Sequence, residues 1–287
     1  MFKNFEVLEN EELNKHTSFK IGGPARYFIF PKNTIELAKI IKICEQNNLK
    51  YFVLGNGSNI LASDEGFDGV IINLKNFNQI KKHKYKDKYY ITTGAGVTLF
   101  KLNHYFLENC LSNFEWSYGI PGSVGGAIKM NAGAFGHSFC EYISEITILK
   151  DGKIKKIKKP TFSYRTGPIK DEIILSTKLL LNNDNPVNIN QNIQKYFEIK
   201  KSLQPYDLPS AGSIFKRNGN LCPSKIIDEL GLKGLRFGDA MISTKHAGFI
   251  VNLKRAKCSD VLKLIEIIEL YFNQQNLNFE KEIIYLH

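Results

Sequence analysis

Six glycines lie within residues 119–136, and this segment constrains the possible folds of the chain more than any other. Glycine has no Cβ, so it adopts positive φ angles and lets the backbone approach a bulky ligand, but it costs conformational entropy on folding. Small residues such as Ser123 and Ala127 extend the same property. The composition is typical of a loop whose N–H groups contact phosphates or a flat ring, or of a set of tight turns between strands.

A second glycine-rich loop directly follows a predicted strand. Residues 51–54 are apolar and predict a short buried strand. The chain then enters an uncharged loop of Gly55, Asn56, Gly57, Ser58 and Asn59. The spacing excludes the Rossmann fingerprint, because Ile60 stands where a third glycine is required, and no P-loop lysine follows. We therefore interpret the loop as a candidate phosphate-binding loop outside the two common nucleotide-binding folds.

Length and composition favour a globular protein of two or three small domains, or one large domain. The chain has 287 residues, of which 43% are hydrophobic and 23% are charged. No run of about eighteen apolar residues occurs, so no transmembrane helix is expected. The first residues include acidic side chains and lack the apolar core of a secretory signal, so we expect a cytoplasmic location.

The cysteines, histidines and charges restrict the possible chemistry. Five scattered cysteines without a C-x-x-C pair and six dispersed histidines argue against a disulfide framework and against a metal site. The net charge of +11 is compatible with a polyanionic partner. Much of the excess lies in residues 81–86 and 153–159, which we interpret as edge strands, because edge lysines discourage strand pairing between molecules.

The order of the predicted elements indicates an α+β protein. Residues 1–65 are predicted to form a β-α-β unit, with a strand at 27–30 and a helix capped by Asn33 or Thr34. Asp151-Gly152 between two apolar runs predicts a β-hairpin. A break near residue 185 precedes helices predicted near 189–201, 222–230 and 259–274. We expect three lobes, residues 1–70, 71–185 and 186–287.

Three polar residues are candidates for chemistry, and each also has a plainer interpretation. Arg165 follows two aromatic residues and precedes a glycine, which suits either a carboxylate clamp or an ordinary surface arginine. Ser213 is either a positioned proton donor or a turn serine, and it lacks the G-x-S-x-G context of a hydrolase nucleophile. Glu282 is either a functional carboxylate or an exposed glutamate on an edge strand.

Taken together, eight segments resemble, in the same order, the UDP-N-acetylenolpyruvoylglucosamine reductase family of bacterial cell-wall flavoenzymes. The resemblance extends from about Asn14 to Ile284. The matching segments include His16-Thr-Ser-Phe-Lys-Ile-Gly-Gly-Pro-Ala-Arg26, Leu54-Gly-Asn-Gly-Ser-Asn-Ile-Leu61, residues 119–136, Ser163-Tyr-Arg165, Pro209-Ser-Ala-Gly-Ser-Ile-Phe-Lys216, Gly231-Leu-Lys-Gly234, His246-Ala-Gly-Phe-Ile-Val-Asn252 and Glu280-Lys-Glu282. Any one of them is a weak signal, whereas all eight in order are specific.

The resemblance implies an FAD-binding fold of the vanillyl-alcohol-oxidase/PCMH type in two lobes, followed by a C-terminal α+β substrate-binding domain. It implies an oxidoreductase, an NADPH-dependent UDP-N-acetylmuramate dehydrogenase that uses bound FAD to reduce UDP-N-acetylglucosamine enolpyruvate in peptidoglycan precursor synthesis. The implied cofactor-binding residues are Gly55, Asn56, Gly57, Ser58, Asn59, Gly119, Ile120, Pro121, Gly122, Ser123, Gly125, Gly126 and Ala127.

The resemblance also implies the residues that act on the substrate. Ser213 is the implied general acid, and Arg165 and Glu282 are the implied partners of the substrate carboxylate. The implied substrate-binding residues are Tyr164, Arg165, Lys216 and Arg217. The short spacing from Arg165 to Ser213 indicates the shorter subtype without an inserted tyrosine loop. The diphosphate-binding residue is therefore left open, with candidates Lys200, Lys201, Lys216 and Arg217.

Two alternatives remain beside the reductase. One is another FAD-dependent oxidoreductase of the same fold with a different substrate. The other is a basic nucleotide- or nucleic-acid-binding protein without catalytic activity, which only the charge supports. We expect the reductase, with a UDP-sugar and NADPH as its partners, no nucleic-acid or membrane partner, no metal, and a monomeric state.

Overall fold

The computed structural model describes residues 1–86 and 88–287. The α-helices of these residues are α1 (Thr34–Gln46), α2 (Leu99–Glu108), α3 (Val124–Lys129), α4 (Pro186–Leu203), α5 (Pro223–Glu229) and α6 (Cys258–Gln274). The strands are β1 (Val7–Glu12), β2 (Pro24–Ile29), β3 (Tyr51–Leu54), β4 (Ile60–Ala62), β5 (Phe67–Asn73), β6 (Ile80–Tyr85), β7 (Lys88–Gly94), β8 (Leu111–Ser112), β9 (Gly133–Ala134), β10 (His137–Ser138), β11 (Ile143–Lys150), β12 (Lys153–Lys158), β13 (Ile173–Asn183), β14 (Ser210–Ser213), β15 (Arg236–Phe237), β16 (Ala240–Ile242), β17 (Phe249–Asn252) and β18 (Ile284–Leu286).

The chain divides into two compact units. The first unit consists of residues 1–8, 28–56 and 70–200, and the second of residues 9–27, 57–69 and 201–287. A four-stranded sheet has the order β1-β2-β5-β3. The division into three lobes stays a prediction.

The predicted β-α-β arrangement is present, because β2, α1 and β3 follow one another as expected. Helix α1 starts at the Asn33 side chain, whose oxygen accepts the N–H groups of Ile35 and Glu36 at 3.0 Å each. This cap satisfies donors that the first turn leaves unpaired. Leu37 and Cys44 are buried on the inner face of the helix, as their spacing predicts.

An antiparallel sheet of order β12-β11-β13-β7-β6, with β8 paired to β13, forms the larger part of the first unit. The lysine-rich strands β6 and β12 are its two edges, which confirms the edge-strand interpretation. Asp151 and Gly152 join β11 to β12 with φ angles of 50° and 68°. Both angles are positive, as a two-residue hairpin turn of the primed type requires, so the predicted hairpin is confirmed.

The second unit packs a sheet of order β14-β17-β16-β15 against helices α5 and α6. Strand β18 pairs in parallel with β4, so the last residues of the chain return to the loop that follows β3. The apolar core includes Leu61, Ala211, Ile214, Ile227, Ile250, Val261, Leu264, Ile265, Ile268 and Phe272. Within the residues described above, no helix has both the length and the apolar character needed to cross a membrane.

Candidate functional site

The first half of the glycine-rich segment forms a turn and then helix α3. Gly119 and Gly122 have φ angles of +77° and +148°, which side-chain-bearing residues rarely adopt. The Ser123 hydroxyl then caps α3 by accepting the N–H of Gly126 at 3.3 Å. The N–H of Val124 donates to the Val97 carbonyl at 2.9 Å. These bonds anchor the segment against the chain between β7 and α2.

The loop after β3 lies against this segment. A Cβ built on Gly55 would stand 2.4 Å from the Ser123 hydroxyl oxygen, closer than real atoms approach. Both residues belong to the first unit. The structure therefore brings Gly55 of the loop after β3 next to the glycine-rich segment. The sequence predicted each of these stretches separately as a candidate for binding an anion or a flat ring.

The loop itself leaves a row of backbone donors unused. In the part of the chain that the structure describes, the N–H groups of residues 55–59 donate to no protein acceptor. Gly57 has a φ of +61°, and a Cβ there would stand 2.2 Å from the His16 carbonyl oxygen. Successive free N–H groups in a tight turn form a concave donor surface that suits phosphate oxygens. Neither candidate stretch contains an acidic residue that would repel such a ligand.

The second half of the glycine-rich segment holds Arg165 instead. The Nη2 atom of Arg165 donates to the Gly133 carbonyl oxygen at 2.9 Å, and its guanidinium carbon lies 5.3 Å from the centre of the Tyr164 ring. Arg165 itself has a φ of +51°, a left-handed conformation that is uncommon without glycine. Residues held in this way cluster at functional sites, so the geometry supports the interpretation of Arg165 as a positioned group. The sequence places Gly133 in the glycine-rich segment, but its contact with Arg165 was not predictable because nothing local connects the two residues.

The variant Gly133→Ala is expected to disturb both the β9–β10 pair and Arg165. A Cβ at Gly133 would stand 2.4 Å from the His137 carbonyl oxygen and 3.2 Å from Arg165 Nη1. Overpacking of this kind destabilises a fold by about 1–3 kcal/mol. Urea unfolding and steady-state rates measure the two effects.

Gly136→Ala is the matched control for this variant. Gly136 lies in the same hairpin turn with a φ of +82°, and a Cβ there meets no atom within 4 Å. Its cost is therefore the left-handed backbone alone, about 1–2 kcal/mol, and its rate should match that of the unaltered chain. Equal rates for both variants would show that Gly133 does not position Arg165.

Three predicted site residues meet in the second unit. The backbone N–H of Glu282 donates to the carbonyl oxygen of Ile214, the residue after Ser213, at 2.7 Å. The Asn59 side chain donates to the Glu282 carbonyl oxygen at 2.8 Å. Ser213 ends β14 after a register shift between Ser210 and Ser213, where Gly212 has a φ of +79°. Bulges redirect side chains and are frequent near active sites. Ser213 and Glu282 are both half-buried.

The remaining substrate-binding candidates differ in their surroundings. Lys216 is largely buried, with its side chain 13% exposed, and its ammonium group lies 2.7 Å from a carboxylate oxygen of Glu280. Its backbone N–H also donates to the Glu280 carbonyl oxygen at 2.8 Å. Arg217 and Tyr164 are exposed to solvent. Lys216 is thus held in one place, whereas Arg217 extends from the surface.

Lys200, a candidate for binding a substrate diphosphate, is engaged inside the first unit instead. The residue is 3% exposed, and its Nζ donates to the carbonyl oxygens of Trp116 and Tyr118 at 2.9 and 2.6 Å. Burial lowers the pKa of the ammonium group to about 7, because the charged form loses its hydration. Lys201, the next residue, is exposed.

This lowered pKa predicts a pH-dependent stability. In the unfolded chain the pKa of lysine is about 10.4. Between pH 7 and pH 10 the unfolded state therefore binds more protons than the folded state. The free energy of unfolding therefore rises with pH in this window, by at most about 1.4 kcal/mol per pH unit from this group. Urea unfolding at several pH values, compared with Lys200→Met, isolates the effect. An identical pH profile for the two proteins would contradict it.

The candidate residues are divided between the units. The first unit contains Gly55, Asn56, residues 119–127, Tyr164 and Arg165. The second unit contains Gly57, Ser58, Asn59, Ser213, Lys216, Arg217 and Glu282. Over the described residues, no cluster of three or more His, Cys, Asp or Glu side chains forms a possible metal site.

Two family models match the chain. An FAD binding domain matches residues 25–158, and the C-terminal domain of UDP-N-acetylenolpyruvoylglucosamine reductase matches residues 204–286. A reductase of that name from Pseudothermotoga lettingae is 44% identical over 92% of this chain and 91% of its own length. A reductase of the same name from Clostridium novyi is 35% identical over 97% and 92%.

Solved structures agree with these matches. The reductase from Thermus caldophilus has a TM-score of 0.82 and 32% identity, and the alignment covers 99% of each chain. Cholesterol oxidase from B. sterolicum has a TM-score of 0.50 and 14% identity over 63% of this chain and 38% of its own, a likeness of fold alone. The predicted fold class is confirmed: an FAD-binding fold is followed by a C-terminal α+β domain.

Proposed function

We infer the function of this chain from its family, since the chain belongs to the UDP-N-acetylenolpyruvoylglucosamine reductases. It is an FAD-dependent oxidoreductase that reduces UDP-N-acetylglucosamine enolpyruvate to UDP-N-acetylmuramate in peptidoglycan precursor synthesis. The main support is that relatives named as this reductase match nearly the whole chain over most of their own length. NADPH is the proposed reductant.

The two glycine-rich stretches fit FAD. The close approach of Gly55 to Ser123 and the free N–H groups of residues 55–59 supply backbone donors without side-chain bulk. These features suit the pyrophosphate and the flat ring of the cofactor. When bound, FAD would carry a hydride from NADPH to the enolpyruvyl double bond. We assign its binding to residues 55–59, 119–123 and 125–127.

Ser213 is the proposed general acid. Hydride addition to C3 of the enolpyruvyl group leaves an enolate at C2, which needs one proton for a saturated product. A hydroxyl donates that proton when its position and its anion are stabilised. The register shift before Ser213 and the backbone bond from Glu282 to Ile214 support a fixed backbone position for Ser213.

Arg165 and Glu282 are the proposed partners of the substrate carboxylate. The enolate spreads negative charge onto this carboxylate, and a guanidinium group can bind it with two parallel hydrogen bonds. Preorganised charges lower the barrier most when they face developing charge. The Gly133 carbonyl keeps one N–H of Arg165 fixed, which supports such preorganisation.

Lys216, Arg217 and Tyr164 are the proposed contacts to the rest of the UDP-sugar. The ion pair with exposed Glu280 orients the largely buried Lys216 side chain for a phosphate or sugar oxygen, and exposed Arg217 suits the diphosphate. We further propose a cytoplasmic monomer without nucleic-acid or membrane partners, because lysine-rich edge strands account for much of the positive charge.

The test is a complete reaction with purified protein, FAD, NADPH and UDP-N-acetylglucosamine enolpyruvate. The expected result is one NADPH oxidised per substrate molecule and a product heavier than the substrate by two hydrogen atoms. NADPH oxidation that leaves this substrate unchanged would contradict the assignment.

A further inference from the structure

Lys200 is a buried lysine whose ammonium group contacts backbone rather than a carboxylate. It donates to the carbonyl oxygens of Trp116 and Tyr118, and Nζ lies 5.6 Å from the centre of the Phe135 ring, within range of a cation–π interaction. Lysine is rarely buried, since its hydration must be replaced by strong hydrogen bonds. The two short bonds to carbonyl oxygens replace part of that hydration, and the part that is lost lowers the pKa of Lys200.

The two carbonyls belong to the turn that leads into the glycine-rich segment. Ser117 lies between them and is completely buried, and its hydroxyl accepts the Asn103 side-chain amide of α2 at 2.8 Å. Ser117 also accepts the N–H of Ile120 at 3.0 Å through its carbonyl oxygen. The turn is therefore fixed by α2 on one side and by Lys200 of α4 on the other. Directly after it, the chain enters Gly119.

We propose that Lys200 is a positioning residue for the flavin-binding segment, because its ammonium group fixes the backbone from which residues 119–127 extend. A glycine-rich segment has little intrinsic preference for one conformation, so its shape depends on such anchors. A preorganised segment binds its ligand more tightly, since less ordering remains for the binding step. This inference rests on the proposed binding of FAD by residues 119–127.

The test compares Lys200→Met, Lys200→Arg and the control Lys195→Met. Methionine has similar size but donates no hydrogen bond, whereas arginine retains charge and donors. Lys195 lies exposed on the same helix. Two readouts are used: FAD affinity of the apoprotein from flavin fluorescence, and hydrogen exchange of the apoprotein over residues 114–127.

Lys200→Met is expected to weaken FAD binding by about tenfold or more, as the loss of charged hydrogen bonds predicts. Amide hydrogen exchange in the apoprotein of this variant should become faster over residues 114–127 but not over β11–β13. Lys200→Arg should recover much of the affinity, and Lys195→Met should match the unaltered chain. Unchanged affinity in a folded Lys200→Met protein, or faster exchange throughout the first unit, would overturn the proposal.

A replacement variant and a readout without flavin complete the experiment. If Lys200→Met does not fold, Lys200→Gln, which keeps one donor group, takes its place with the same expected direction. Hydrogen exchange of the apoprotein needs no flavin, so it separates the two hypotheses. A chain that binds no FAD but shows the local exchange effect would refute the cofactor assignment and keep the anchor, whereas normal FAD binding without that effect would refute the anchor alone.

Discussion

Ser213→Ala is expected to lower the rate of substrate reduction by about 10²–10⁴-fold, since a positioned general acid contributes that much. The reduction of the flavin by NADPH needs no proton donor to C2, so that half-reaction should proceed at its normal rate. Rapid mixing that follows each half-reaction separately measures the difference. A slower substrate reduction with an unchanged rate of flavin reduction identifies the hydroxyl as the proton donor.

Ser210→Ala is the control for this variant. Ser210 begins the same strand β14, and its backbone carbonyl oxygen accepts the Ser18 hydroxyl at 2.7 Å, a bond that the substitution leaves in place. Both half-reactions should then stay within about twofold of the unaltered chain, as for most substitutions away from key groups. If Ser213→Ala slows both half-reactions equally, Ser213 stabilises the site and is not the acid.

Arg165→Met is expected to lower kcat for substrate reduction by about 10²–10³-fold, the effect of removing one preorganised group that faces developing charge. The KM for the substrate should rise as well, because the guanidinium also binds the ground-state carboxylate. Arg165→Lys should recover only part of the rate, since a single ammonium group cannot form two parallel bonds. Steady-state kinetics with excess NADPH measure these values.

The control for Arg165 is Arg255→Met. Arg255 is an exposed arginine of the second unit and lies outside the proposed site. Its removal changes the net charge by the same amount and should leave both constants unchanged. A rise in KM for Arg165→Met without a fall in kcat would assign Arg165 to substrate binding alone.

Elements defined by local signals were predictable from the sequence. Helix α6 has a regular apolar spacing, and the turn at Asp151-Gly152 has the residues that positive φ angles favour, so both were found close to their observed bounds. Helix α3 was missed, since Gly125 and Gly126 disfavour a helix and the Ser123 cap and packing override that preference.

Contacts between distant parts of the chain were not predictable from local patterns. Two hydrogen bonds illustrate this, one from Asn59 to Glu282 and one from Arg165 to Gly133. Each joins segments that are far apart in the sequence and come together only when the chain folds. Lys200 was a candidate for binding the diphosphate, and its burial was not predictable because lysine is usually exposed and no neighbouring residue signals otherwise. The family resemblance predicted the site residues, whereas the structure shows which groups contact them.

The central claim is that one flavoprotein accepts hydride from NADPH and delivers it to the enolpyruvyl ether of a UDP-sugar. The most direct test is an anaerobic titration of the purified protein, followed by its visible flavin spectrum. NADPH should bleach the spectrum, and UDP-N-acetylglucosamine enolpyruvate should then restore the oxidised spectrum. Bleaching without recovery, or a protein that takes up no flavin when FAD is supplied, would contradict the account.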